Sequence, residues 1–160
     1  MPNLRHLILL RHAHAEPQAA GMSDLDRPLS ATGKLQASAG AAWLKEHLSH
    51  APRIICSPSL RTKATAQAVA AHWSGCNVHE IADIYEASAG TLMDVLDRDH
   101  HSPVVLVGHN PGLEAALALL STGQSSAARG MSPGAIAWLT APKNALVPGC
   151  AELKLFWPNQ

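Results

Sequence analysis

A chain of 160 residues, 47% hydrophobic and 15% charged, has room for one hydrophobic core and is too apolar to be disordered. Twelve Lys and Arg balance twelve Asp and Glu. No overall field therefore draws it to nucleic acid or to an anionic membrane, and any anion must be captured by a few converging side chains.

Cys56, Cys76 and Cys150 have neither the number nor the spacing of a disulfide framework or a zinc site. Arg5 and His6 precede an apolar run of only Leu7 to Leu10, too short for a signal sequence, and no later stretch is long enough to span a bilayer. The expectation is a cytoplasmic protein without membrane association. No repeat, charge block or linker divides the chain, so residues 1–160 are expected to form one domain.

In chain order, His6 to Arg11 contains four consecutive aliphatic residues, the pattern of a strand buried on both faces. Ser30 can cap a helix whose inward positions are Ala37, Ala41, Leu44 and Leu48. Arg53 to Cys56 is the second strand, and Leu60, Ala64, Ala68 and Ala71 mark the inner face of the helix after it. A short helix over Thr91 to Asp97 turns Leu92, Val95 and Leu96 inward. Val104 to Val107 is another buried strand. Asn110 can cap the next helix with Pro111 at its first position, and Leu113, Ala116, Leu117 and Leu120 form its stripe. Ser121 to Arg129 reads as a mobile loop. Ala135 to Thr140 and Glu152 to Trp157 read as two strands of a meander at the sheet edge. Strand-helix alternation predicts an α/β fold, a three-layer α/β/α sandwich around a mostly parallel sheet.

In such sheets ligands bind outside the carboxyl ends of the strands. The first strand delivers Arg11 and His12 there, the turn after the second leads to Arg61, and the Val104 strand delivers His109. Each alone reads as a surface or core residue; together they make a phosphate pocket with a nucleophile. Two guanidiniums match a phosphoryl dianion in charge and can bind its oxygens bidentately. The helix following His109 adds backbone N–H groups. An unprotonated imidazole attacks phosphorus, flanking positive charge keeps its lone pair free, and cationic donors stabilise the equatorial oxygens without a metal.

Leu10-Arg11-His12-Ala13 resembles the RHG signature of the histidine phosphatase superfamily, the phosphoglycerate mutase-like fold. Ser57-Pro58-Ser59-Leu60-Arg61-Thr62 resembles its arginine motif, and Val107-Gly108-His109-Asn110-Pro111-Gly112 its strand-end histidine motif. Asp26-Arg27-Pro28-Leu29-Ser30 with Gly33, and Met131-Ser132-Pro133-Gly134-Ala135-Ile136, resemble further family segments. The likeness is greatest to the small SixA-type phosphohistidine phosphatases, which lack a cap domain. Ala13 stands where the signature has Gly, and Thr62 and Ala64 depart from the family's RAxQT run while Thr65 matches. The resemblance implies that His12 carries the phosphoryl group, that Arg11 and Arg61 clamp its oxygens, and that His109 donates to them as imidazolium.

The family's larger members add a carboxylic acid to protonate the leaving alcohol. Glu86 is the first candidate here, with Glu16, Asp26 and Glu80 behind it. A monoester gains about 10²–10⁴-fold from such an acid, whereas imidazole, with a reference pKa of roughly 6.5, leaves more readily. The substrate expected is therefore phosphohistidine on a protein. The alternatives are a small phosphorylated metabolite, or a phosphate- or phosphoprotein-binding module without catalysis. His12 and His14 are spaced to chelate, but without Asp or Cys partners neither a metal site nor any other cofactor is expected. Four tryptophans with one Tyr and one Phe do not form a nucleic-acid platform. Tyr85 and the Gly123–Gly130 loop are further candidates for a substrate rim.

Overall fold

The computed structural model describes residues 3–160. Strands β1 (Leu4–Arg11), β2 (Arg53–Cys56), β3 (Val78–Glu80) and β4 (Val104–Gly108) lie parallel in one sheet. Strands β5 (Ile136–Pro142) and β6 (Glu152–Trp157) continue it antiparallel, giving the order β3-β2-β4-β1-β5-β6.

Helices α1 (Ala31–His47) and α2 (Leu60–Ala70) cover one face, and α3 (Ala89–Arg98) and α4 (Gly112–Thr122) cover the other. The alternation of β1 accounts for both layers. Leu7 and Leu9 pack with Leu92, Leu96, Leu113 and Leu117, whereas Ile8 and Leu10 pack with Ala41, Leu44, Ala66 and Val69. Each large side chain so buried contributes about 1.5–3 kcal/mol relative to exposure. The result is the three-layer α/β/α sandwich, with a mostly parallel core and an antiparallel edge. Three of the four helices start on a serine. Ser30, Ser59 and Ser88 accept from the N–H groups of Gly33, Thr62 and Thr91, satisfying donors that a helix start leaves free. Among the described residues no helix is long and apolar enough to cross a membrane.

Three elements differ from the sequence reading. The buried face of α2 is Arg61, Thr62, Thr65, Ala66 and Val69, while Leu60 is exposed. The apolar pattern misled because this helix buries polar groups that are satisfied by hydrogen bonds. Thr62 Oγ1 donates to Ser57 O at 2.7 Å, and Thr65 Oγ1 accepts from Ala13 N–H at 3.1 Å. Helix α4 starts at Gly112, so Pro111 takes the cap position; Asn110 still accepts from Glu114 N–H through Oδ1, at 3.2 Å. Ser121 and Thr122 finish α4, and Ser125–Ala127 forms a 3-10 turn where a loop was expected.

Candidate active site

Strands β1, β2 and β4 are adjacent and parallel, so their carboxyl ends share one edge. The register makes this concrete, with Arg11 beside Gly108 and Cys56 beside Val107. The chain leaves those ends as Arg11-His12, Ser57 and His109. Two further bonds fasten the end of β1: His12 N–H donates to Gly108 O at 3.0 Å, and Gly134 N–H is 3.1 Å from both Arg11 O and His12 O. Gly134 makes that turn at φ +79°, a left-handed conformation that a glycine adopts freely.

Arg11, His12, Arg61 and His109 line one cavity of about 410 Å³, together with Asp24, Arg27, Tyr85, Glu86, Ala87 and the start of α4. The His12 and His109 rings are 5.3 Å apart, centre to centre. His12 Nδ1 lies 2.7 Å from Ala13 O. A carbonyl can only accept, so Nδ1 carries the proton and Nε2 keeps its lone pair. Burial first, and then His109, Arg61 and Arg11 nearby, push the His12 pKa down to about 3. Its nucleophilic form is therefore the resident one at neutral pH. Desolvation is the larger cause, ahead of the flanking charge that the sequence suggested.

His109 Nε2 lies 2.8 Å from Ser57 Oγ, and its Nδ1 lies 3.3 Å from Arg61 Nη2. Guanidinium nitrogens only donate, so Nδ1 accepts and Nε2–H donates to Ser57. Burial, with Arg61 beside it, pushes His109 down to about 4. With no anion in the cavity, that shift favours the neutral imidazole at pH 7. A phosphoryl dianion brought against it draws the pKa back up, which turns the ring into a donor when an anion enters.

Arg11 and Arg61 each carry a buried Nε–H with no partner among the described residues. A buried donor left unpaired is costly, and both side chains line the cavity. Three of their four Nη nitrogens are held in place. Arg11 Nη1 donates to Met131 O at 2.8 Å, while Arg61 Nη1 donates to Asp24 O at 2.7 Å and Nη2 to Asp24 Oδ2 at 3.0 Å.

The outer wall comes from two irregular segments. Asp24 opens a 3-10 turn over Asp24–Asp26 and accepts from Tyr85 OH at 2.6 Å and from Arg27 Nη1 at 3.2 Å. The Tyr85 hydrogen bond, then those of Arg61 and Arg27, hold the Asp24 carboxyl far below the ordinary carboxylate range; the same bond pushes Tyr85 up to about 12. Glu86 lies on the cavity at φ +54°, an uncommon conformation for a residue with a side chain. Glu16, Asp26, Glu80 and the Gly123–Gly130 loop do not line the cavity.

Sequence reading thus gave no role to Ser57, Asp24 or Arg27, and named Tyr85 only as a rim candidate. Asp26 was considered where Asp24 is the residue on the cavity. Two residues in a 3-10 turn are about 240° apart around its axis, so only one of the pair can face the site. No signal in the sequence said which.

A protein-family description, histidine phosphatase superfamily (branch 1), matches residues 7–99. An uncharacterized chloroplastic protein of Arabidopsis thaliana is 35% identical over an alignment of 133 positions that covers 73% of this chain. The match spans 59% of that relative's length. Among solved structures, a protein of Agrobacterium tumefaciens provisionally named phosphohistidine phosphatase SixA shares 28% identity. It superposes with a TM-score of 0.81 over 98% of both chains. A mycobacterial glucosyl-3-phosphoglycerate phosphatase shares the fold at 20% identity and a TM-score of 0.70, over 98% of this chain and 99% of its own. Site and comparisons together support phosphatase chemistry, and the chain belongs to the histidine phosphatase superfamily.

Proposed function

We propose that this chain is a metal-independent phosphatase that works through a phosphohistidine intermediate on His12 and takes phosphohistidine on a protein as its substrate. One observation carries the reading: the Nδ1–H bond to Ala13 O leaves the His12 Nε2 lone pair free in a cavity lined by Arg11, Arg61 and His109.

In the first step Nε2 bonds to phosphorus and the leaving group departs with the electrons of its own bond to phosphorus. Arg11, Arg61 and His109 hold the equatorial oxygens, where charge develops. Water then attacks phospho-His12, gives up a proton and releases inorganic phosphate, and Nε2 recovers its lone pair. Both arginines act as fixed cations in a partly buried site, so the charge is met without a metal.

The outer wall supports the choice of substrate. Asp24 is ionised and cannot protonate a leaving alkoxide, whereas a phosphoimidazole does not leave as an alkoxide. The name of the Agrobacterium protein points the same way. Three free thiols suit the reducing cytoplasm. A second reading, hydrolysis of a small phosphomonoester, is favoured by Glu86, whose place on the cavity would let a carboxylic acid reach an alkoxide. A binding module without catalysis would have no use for the His12 lone pair.

Turnover of a phosphohistidine-bearing protein, a phosphohistidine peptide and a panel of small monoesters tests the assignment. The phosphohistidine protein is expected to give the highest kcat/KM, by about 100-fold or more over monoesters that leave without an acid's help. A strong preference for one small monoester would transfer the assignment to that substrate. Phosphate binding without turnover of any of them would favour the binding module.

A further inference from the structure

The cavity wall bears a carboxylate that the phosphoryl chemistry does not use. Asp24 is about a third exposed, while Arg61, which it holds, is buried. It therefore stands outward of the phosphate-binding arginine, towards the mouth where a leaving group would lie. Tyr85 OH, Arg61 and Arg27 bind it from the protein side. Those three donors leave acceptor capacity on its two oxygens, since an ionised carboxylate has about four lone-pair sites.

We propose that Asp24 recognises the leaving imidazole, accepting a hydrogen bond from the ring nitrogen that does not carry the phosphoryl group. The inference rests on the phosphohistidine reading above and deepens it. When the P–N bond breaks, its electron pair stays on the leaving nitrogen. If the distal nitrogen carries a proton, the ring departs as neutral imidazole; if it does not, the ring departs as the far more basic imidazolate. An anion against the distal N–H favours the protonated ring and so favours departure. The proton stays on that ring, and no further acid is required.

This explains why a carboxylate at this position is kept ionised. A proton donor to an alkoxide has to be neutral, and Asp24 is surrounded by donors that hold it charged. That environment is unsuited to protonating an alcohol and suited to binding a cationic ring.

The test compares Asp24→Asn with the parent enzyme on phosphoimidazole and on para-nitrophenyl phosphate, whose leaving group has no N–H. Loss of the carboxylate slackens Arg61 and slows both. A charge-assisted hydrogen bond to the ring adds about 10–100-fold to the loss on phosphoimidazole alone. The alkaline limb of kcat on phosphoimidazole is also expected to move to lower pH in Asp24→Asn, because the bound ring loses the anion that raised its pKa. Nitrophenyl phosphate turnover by the variant reports that the site is still folded. Equal losses on both substrates with an unmoved alkaline limb would overturn the proposal, leaving Asp24 as a support for Arg61. Parent enzyme that turns over nitrophenyl phosphate but not phosphoimidazole would instead overturn the substrate reading beneath it.

Discussion

The floor of the cavity and its outer wall are built on different principles. The floor stands on the ends of three adjacent parallel strands and on the first turn of α2, where His12, Arg61 and His109 are held by the sheet register and by serine and threonine bonds. The wall is made by a 3-10 turn and by the loop holding Tyr85 and Glu86, both outside regular strands and long helices. The difference teaches a division of labour. Groups that touch phosphorus need tenths of an ångström and sit on rigid elements, while groups that choose the leaving group sit where the chain can vary.

If the division holds, a change in the floor slows every substrate alike, and a change in the wall slows substrates unequally. The largest expected effect comes from Arg61→Lys. Lysine keeps the charge but loses the planar fork and the Nε–H, so kcat/KM is expected to fall by about 10²–10³-fold on phosphoimidazole and nitrophenyl phosphate together. A loss confined to one of them would blur the line between floor and wall.

The floor also leaves a mark on stability. His12 and His109 have folded-state pKa values of about 3 and about 4, against roughly 6.5 in the unfolded chain. Both are depressed, so the unfolded state binds these protons first. Their contribution to stability is complete above pH 6.5, declines as pH falls, and is gone once both folded values are passed. Calorimetry between pH 7 and pH 4 is expected to show Tm falling, with a shallower fall in His109→Gln. Equal slopes in parent and variant would contradict a neutral buried His109.

A smaller effect is expected where floor meets wall. A Cβ on Gly112 would stand 2.2 Å from Ala87 O, in the loop that carries Tyr85 and Glu86. Since the obstacle is backbone, Gly112→Ala must move that loop, at about 1–3 kcal/mol of stability. Thermal unfolding measures the cost. The ratio of kcat/KM values on the two substrates is expected to change more than the rate of phosphoenzyme formation.

The layers and the floor were legible in the sequence for the same reason. Short runs rich in β-branched residues such as Val104 to Val107, bounded by turn residues, fit strands covered on both faces, and the residue that ends each run is then placed at an edge. The α2 face was misread because Thr62 and Thr65 are buried against backbone partners, and a pattern of apolar residues does not register satisfied polar ones. Asp24 was missed for a related reason. Its place depends on contacts with Arg61, 37 residues away, and Tyr85, 61 residues away, and neither contact leaves a periodicity to read.

The central claim is that Nε2 of His12 takes the phosphoryl group. Rapid mixing with phosphoimidazole, an alkaline quench and peptide mapping by mass spectrometry test it most directly. An acid-labile phosphoryl group on the peptide containing His12, formed and lost at rates consistent with turnover, is the result expected. Turnover accompanied by a phosphoryl group on any other residue, or by none at all, would contradict it.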